Sequence, residues 1–162
     1  MITVRDFEAA ARERMDPVHF DYVCGAARDE LTARANEESF TRLQLLPRVL
    51  RGSDKREMGV DLFGSRTGLP VFLSPTAFHK LMDPEGEQAT ARAAAGAGAI
   101  MIASMAATVA VGDIARAARI AVPQGRPDIW FQMYIQPDRD VTEALVQRAT
   151  DAGCTALVVT VD

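Results

Sequence analysis

Residues around which many small proteins organise are scarce in this chain. Cysteine occurs only at Cys24 and Cys154, and histidine only at His19 and His79. Two thiols so far apart, outside any metal-ligand spacing, exclude a disulfide framework and a zinc site. They fit buried thiols in a reducing compartment, which makes the cytoplasm the expected location. Excess positive charge is also missing: 18 Lys and Arg stand against 22 Asp and Glu, a net charge of -4 with a pI near 5.2. No basic field gathers phosphates, so nucleic acid is not an expected partner, and a small anionic substrate has to be held by local groups. The first residues mix Arg5, Asp6, Glu8, Arg12 and Glu13 and lack the apolar stretch of a secretory signal.

A long, strongly apolar run is absent too. Residues 93–112 form a charge-free stretch of 20 residues, the length of a membrane span. Its content is mostly Ala, Gly, Ser and Thr, and only Ile100 to Ile102 is strongly apolar. A small-residue helix end followed by a buried strand is the reading that fits.

What remains is ordinary globular composition, 48% apolar and 25% charged. Residues 1–52 read as a helical segment. Thr3 caps a first helix with Asp6 three positions on, Pro17 restarts the pattern, and helices follow over 18–27 and 30–43 until Pro47 and Gly52 stop it. From 53 to 162 the pattern becomes strand, turn, helix, repeated. Strands are expected over 69–74, 100–103, 129–134 and 155–161. The helices between them are expected to open at Asp83-Pro84 and close near Gly96 and Gly98, to run over 111–118, and to start at an Asp140/Glu143 capping pair and end at Gly153.

Strands alternating with helices demand a parallel sheet with right-handed crossovers. A doubly wound sheet would carry a glycine-rich turn after its first strand, and Ser74-Pro-Thr-Ala77 has no glycine. The expected fold is therefore α/β, with N-terminal helices followed by roughly the first half of a (βα)8 TIM barrel. A complete barrel needs roughly 250 residues, so 1–162 is expected to be one partial domain whose C-terminal half is absent.

Barrel chemistry collects where strands end. Four segments sit there: Ser74-Pro-Thr-Ala-Phe78, Ala103-Ser-Met-Ala106, Phe131-Gln-Met-Tyr134 and Thr160-Val-Asp162. Together with Phe20-Asp-Tyr22 and Pro84-Glu-Gly-Glu87, their order and spacing resemble the FMN-dependent α-hydroxy-acid oxidases and dehydrogenases, the family of glycolate oxidase, lactate oxidase and mandelate dehydrogenase. The resemblance implies FMN as cofactor and oxidation of a small 2-hydroxy acid to the 2-oxo acid, in a homo-oligomer when full length. It places Pro75, Thr76 and Ala77 along the flavin, with the Ala77 N–H toward N5. Ser104, Gln132 and Thr160 would bond the polar edge of the ring, a task for neutral donors and acceptors. Tyr22 would donate to the substrate carboxylate, Tyr134 would contact the reacting oxygen, and Asp162 would orient a catalytic histidine.

Blander readings stand beside these. Ser104 and Thr160 could merely satisfy strand-end backbone groups, and a strand-end tyrosine is ordinarily an amphipathic core-edge residue. His79 reads as a loop residue near the pocket and His19 as a half-exposed helix residue. The acids of 83–87 read as a solvated helix cap rather than a metal site, and Met101 and Met105 as core filling. One departure is Ala106, where the family's oxidases often carry a bulky aromatic, which enlarges the expected pocket. The family's flavin lysine, base histidine, carboxylate-clamping arginines and phosphate site would lie beyond Asp162. Two alternatives remain: another FMN barrel such as an isomerase, which should lack Tyr22 and Tyr134 together, and a non-catalytic half-barrel that associates through open sheet edges.

The expectation for the isolated chain is no measurable oxidation of lactate, glycolate or mandelate, since losing one member of a catalytic unit costs several orders of magnitude in rate. Robust turnover in a steady-state assay would contradict it.

Overall fold

A computed structural model describes residues 2–52, 55–125 and 127–161. The chain divides into two compact units, Met1–Arg56 and Glu57–Asp162.

The first unit holds α1 (Val4–Arg14), α2 (Pro17–Cys24) and α3 (Leu31–Thr41). Local capping explains its starts. The Asp6 carboxylate accepts the Thr3 N–H at 2.9 Å, and the Asp16 carboxylate accepts the Val18 N–H at 2.9 Å with Pro17 in the first turn. Backbone donors at Thr3 and Ile2 hold the Asp6 carboxyl below the usual carboxylate range. Both later helices are shorter than 18–27 and 30–43. Gly25 leaves α2 in an extended conformation, and Glu30, at φ 56°, must turn before α3 begins. Phe20 is the residue buried in these helices, beneath the Arg12 guanidinium 4.2 Å from its ring centroid. His19 is half-buried, as expected, whereas Cys24 is exposed, which corrects the expectation of two buried thiols.

The second unit opens with an antiparallel hairpin, β1 (Asp61–Leu62) and β2 (Ser65–Arg66), then builds a parallel sheet in the order β3 (Phe72–Leu73), β4 (Ile100–Ser104), β5 (Ile129–Met133), β6 (Ala156–Val159). Helices α4 (Glu87–Ala97), α5 (Val111–Ala121) and α6 (Arg139–Asp151) make the crossovers. The first strand is much shorter than 69–74. Pro70 and Pro75 bring no N–H to a ladder, and the Leu69 carbonyl accepts the Thr67 hydroxyl at 2.6 Å. Helix α5 runs on to Ala121 because nothing interrupts it until Pro123.

Strand alternation sorts the sheet into two faces. Met101, Ala103, Ile129, Phe131 and Met133 pack against alanines of the helices, among them Ala91, Ala94, Ala115, Ala118 and Ala149. Small residues also let the loop before β3 approach the end of α4 closely: the Gly68 N–H donates to the Gly98 carbonyl at 2.7 Å, and Gly98 closes α4 at φ 68°. Met101 and Met105 belong to this packing, as read from sequence. The opposite face carries Ser104, Trp130 and Gln132. Trp130 lies near Phe63 and Phe72, with ring centroids 5.7 Å away in each case. Its Nε1 is the one buried side-chain polar atom without a partner among the described residues. No helix among these residues is long and apolar enough to cross a membrane.

Two helix starts differ from expectation. Asp83 caps a turn, its carboxylate accepting the Glu85 N–H at 2.8 Å and its carbonyl the Gly86 N–H at 2.9 Å, so α4 begins only at Glu87. Gly86, at φ 55° and ψ -137°, cannot be helical. For α6 the cap is Asp138, which accepts the Asp140 N–H at 2.9 Å; Asp140 already lies inside the helix, where its side chain cannot cap.

A Cβ on Gly86 would come within 2.8 Å of Lys80 Cγ in a backbone region that side chains rarely adopt. Gly86→Ala is expected to lose roughly 1–3 kcal/mol, read as a lower urea midpoint. Gly112→Ala, which has open space in the first turn of α5, should be neutral or slightly stabilising. Equal midpoints for both variants would refute the account of the α4 start.

Candidate functional site

Because all four strands of the sheet run parallel, their carboxyl ends share one edge, and β4, β5 and β6 are cross-linked there by side chains. The Ser104 hydroxyl donates to Gln132 Oε1 at 3.2 Å, and Gln132 Nε2 donates to Thr160 Oγ1 at 2.9 Å. The Met105 N–H adds a second donor to Gln132 Oε1 at 3.3 Å, and the Ala106 N–H donates to Ser104 Oγ at 3.1 Å. Ser104 and Gln132 are buried and Thr160 is half-buried. Oε1 is saturated by its two donors. Among the described residues, one N–H of Gln132 and the O–H of Thr160 are left over to donate beyond the cluster. Ser104 thus bonds both a backbone amide, as the bland reading required, and Gln132.

The segment that leaves β3 joins this edge. The Phe78 N–H donates to the Ala106 carbonyl at 3.3 Å, which brings the turn containing Pro75, Thr76 and Ala77 to the loop after β4. Pro75 and Thr76 are exposed, Ala77 is half-buried, and the Thr76 hydroxyl donates to the Ser74 carbonyl at 3.3 Å. Phe78 itself is left-handed, at φ 57° and ψ 44°. For a bulky residue this costs roughly 1–3 kcal/mol and persists only where the surroundings dictate it. Tyr134 follows β5 directly and is 41% exposed. Tyr22 stands in α2 of the N-terminal unit and is 58% exposed. Asp162 lies outside the described residues.

Sequence reasoning missed Glu87. The acids of 83–87 were expected to form a solvated cap, and for Asp83 and Glu85 exposure agrees, but Glu87 is 0% exposed. Its Oε1 accepts the Thr108 N–H at 2.8 Å and the His79 N–H at 3.1 Å, and its Oε2 accepts the Thr108 hydroxyl at 2.7 Å. Burial pushes the carboxyl up, and the Thr108 and His79 donors outweigh it, so the group sits below the usual glutamate range. Its main partner, Thr108, lies 21 positions away, so no local signal could reveal the pairing. His79 is half-buried at the start of a short 3-10 turn, its Nδ1 3.1 Å from Thr90 Oγ1. Among the described residues there is no cluster of His, Cys, Asp and Glu suited to a metal. Cys154, half-buried, has its thiol pushed up to about 11 by burial, with Arg119 opposing, and is therefore unreactive near neutrality. A groove of about 650 Å³ on the helix side reaches Ser104, Thr108, Arg116, Leu145 and Arg148 but is not lined by Gln132 or Thr160. The strand-end hydrogen bonds, not the volume of that groove, mark the site.

Residues 11–162 match the model of a family described as FMN-dependent dehydrogenase. Glycolate oxidase 1 of Zea mays is 39% identical over 98% of this chain and 41% of its own length. 2-Hydroxyacid oxidase 2 of Homo sapiens is 37% identical over 100% of this chain and 44% of its own. Among solved structures, mandelate oxidase with (S)-4-hydroxymandelic acid superimposes with a TM-score of 0.89 at 37% identity, covering 100% of this chain and 43% of that one. The chain therefore spans less than half the length of these relatives. Its helices and parallel sheet correspond to the N-terminal helices and first half of a TIM barrel, the fold read from sequence.

The depressed Glu87 carboxyl gives a stability term that is fully present above the ordinary glutamate value of 4.5 and is lost as pH falls through the lower folded value. Glu87→Gln is expected to cost about 1.5–3 kcal/mol near neutral pH. The difference between wild type and variant should shrink below about pH 4.5. Urea midpoints across acid pH check this, and a pH-independent difference would contradict it.

Proposed function

The chain belongs to the FMN-dependent dehydrogenase family, and on that premise we propose that it contributes to oxidation of a 2-hydroxy acid to the 2-oxo acid. The observation that carries the reading is the neutral hydrogen-bonded series Ser104–Gln132–Thr160 at the carboxyl edge of the sheet. A flavin ring presents neutral carbonyl and N–H groups along one edge. A buried carboxamide between two hydroxyls, with donors left over, fits that edge without burying an unpaired charge. FMN, when bound, supplies the acceptor for the substrate's two electrons.

The protein's own residues then divide the work. Ser104, Gln132 and Thr160 would hold the polar edge of the ring, and the backbone of Pro75, Thr76 and Ala77 would complete its binding. Tyr134 contacts the hydroxyl as it becomes a carbonyl, where a donor gains strength as charge develops. Tyr22 and Asp162 would keep the roles that the resemblance implies, a donor to the substrate carboxylate and a partner for the family's base histidine. Ala106, half-buried two residues after Ser104, leaves room for a larger group on the substrate than a bulky aromatic would.

The test is FMN binding, together with loss of oxidised-flavin absorbance on anaerobic addition of glycolate, lactate or mandelate to the full-length protein. No bleaching by any of them would overturn the reading. Within it, Tyr134→Phe is expected to lower kcat while flavin stays bound. Gln132→Ala is expected to leave ring groups unpaired at about 1–3 kcal/mol, so flavin occupancy falls before chemistry does. The reverse pattern in parallel kinetics and flavin titrations would show that β5 does not face the cofactor.

A further inference from the structure

Glu87 has no part in the reaction just described, yet it is the most completely buried carboxylate of the second unit's described residues. No lysine, arginine or histidine side chain pairs with it there. Its three partners are neutral donors: the His79 N–H, the Thr108 N–H and the Thr108 hydroxyl. A buried charge is a poor choice for stability alone, since apolar packing of similar size usually does as well or better. Its advantage is directional, because a carboxylate fixes several donors at once in defined places.

The segment it fixes is the one assigned to the flavin. Consecutive amides after Ala77 are all engaged: Phe78 N–H by the Ala106 carbonyl, His79 N–H by Glu87, and Lys80 N–H by the Thr108 hydroxyl oxygen at 3.3 Å. The same Thr108 hydroxyl donates its proton to Glu87, so carboxylate, hydroxyl and amide form one relay between the β3–α4 and β4–α5 loops. Between the relay and Ala77 sits Phe78, in its costly left-handed conformation. Gly86, also at positive φ, lets α4 start where its first residue points back into the relay.

We propose that Glu87 is a positioning residue which, through Thr108 and the His79 N–H, holds the Ala77–Phe78 backbone in the orientation that meets the flavin. This rests on the functional reading above. Glu87 touches neither substrate nor cofactor and acts through the loop alone.

The test compares Glu87→Gln, Thr108→Val and Thr108→Ser in the full-length protein, with Arg92→Ala as control, since Arg92 pairs with exposed Glu85 in the turn before α4, away from the relay. Three quantities are read: the Kd for FMN, the midpoint potential of bound flavin, and hydrogen exchange of the amides of residues 78–80. Glu87→Gln and Thr108→Val are expected to weaken FMN about tenfold or more, the effect of one charge-assisted hydrogen bond, to shift the potential and to speed exchange. Thr108→Ser, which keeps the hydroxyl, and Arg92→Ala should stay within about twofold of wild type. Should Glu87→Gln fail to fold, Thr108→Val carries the test, because it keeps the carboxylate. FMN affinity and potential unchanged in Thr108→Val or Glu87→Gln would overturn the proposal alone, however much stability is lost. A wild-type protein that binds no FMN would overturn the functional reading and this proposal with it.

Discussion

A parallel sheet delivers the carboxyl end of every strand to the same edge, and the arrangement of this site follows from that constraint. Ser104, Gln132 and Thr160 are 28 positions apart in each step, yet parallel register sets Ser104 opposite Gln132 and leads β6 out to Thr160 beside it. In an antiparallel sheet alternate strands would end at opposite edges and the same residues would separate. The crossover helices are what make parallel pairing possible, so the alanine-rich faces of α4 and α5 are as necessary to the site as the polar residues on it.

The two faces of the sheet answer to different demands. Toward the helices, Met101, Ala103, Ile129, Phe131 and Met133 meet small residues in a packing that asks only for volume and shape. Away from them, Trp130, Gln132 and Ser104 bring polar atoms into burial, where each needs a partner. Most have one. Trp130 Nε1 does not, although its ring is well packed by Phe63 and Phe72. Glu87 shows the opposite outcome at the same edge, a buried charge with every oxygen engaged.

Much of this was legible in the residues. Small-residue helix faces alternating with apolar strands announced the parallel sheet, and with it the one edge that Ser104, Gln132 and Thr160 share. Boundaries were less legible, because they depend on single backbone groups. Pro70 and the Thr67 hydroxyl trim β3, Asp138 rather than Asp140 caps α6, and Gly86 delays α4 by a turn beyond Asp83. The acidic run before α4 was misjudged for a related reason. Acids at a helix start are normally solvated, and burial of one member depends on what another loop places above it.

By itself the sequence determined the periodicities, the βα order and the residue types available at each strand end. These follow from local spacing, which is read along the chain. Only tertiary structure decided that Gln132 lies between Ser104 and Thr160, that Phe78 is held left-handed, and that Glu87 is buried beneath Thr108. Each of these joins residues more than 20 positions apart or depends on such a joining, and hydrogen bonds act over about 3 Å of space whatever the separation in sequence.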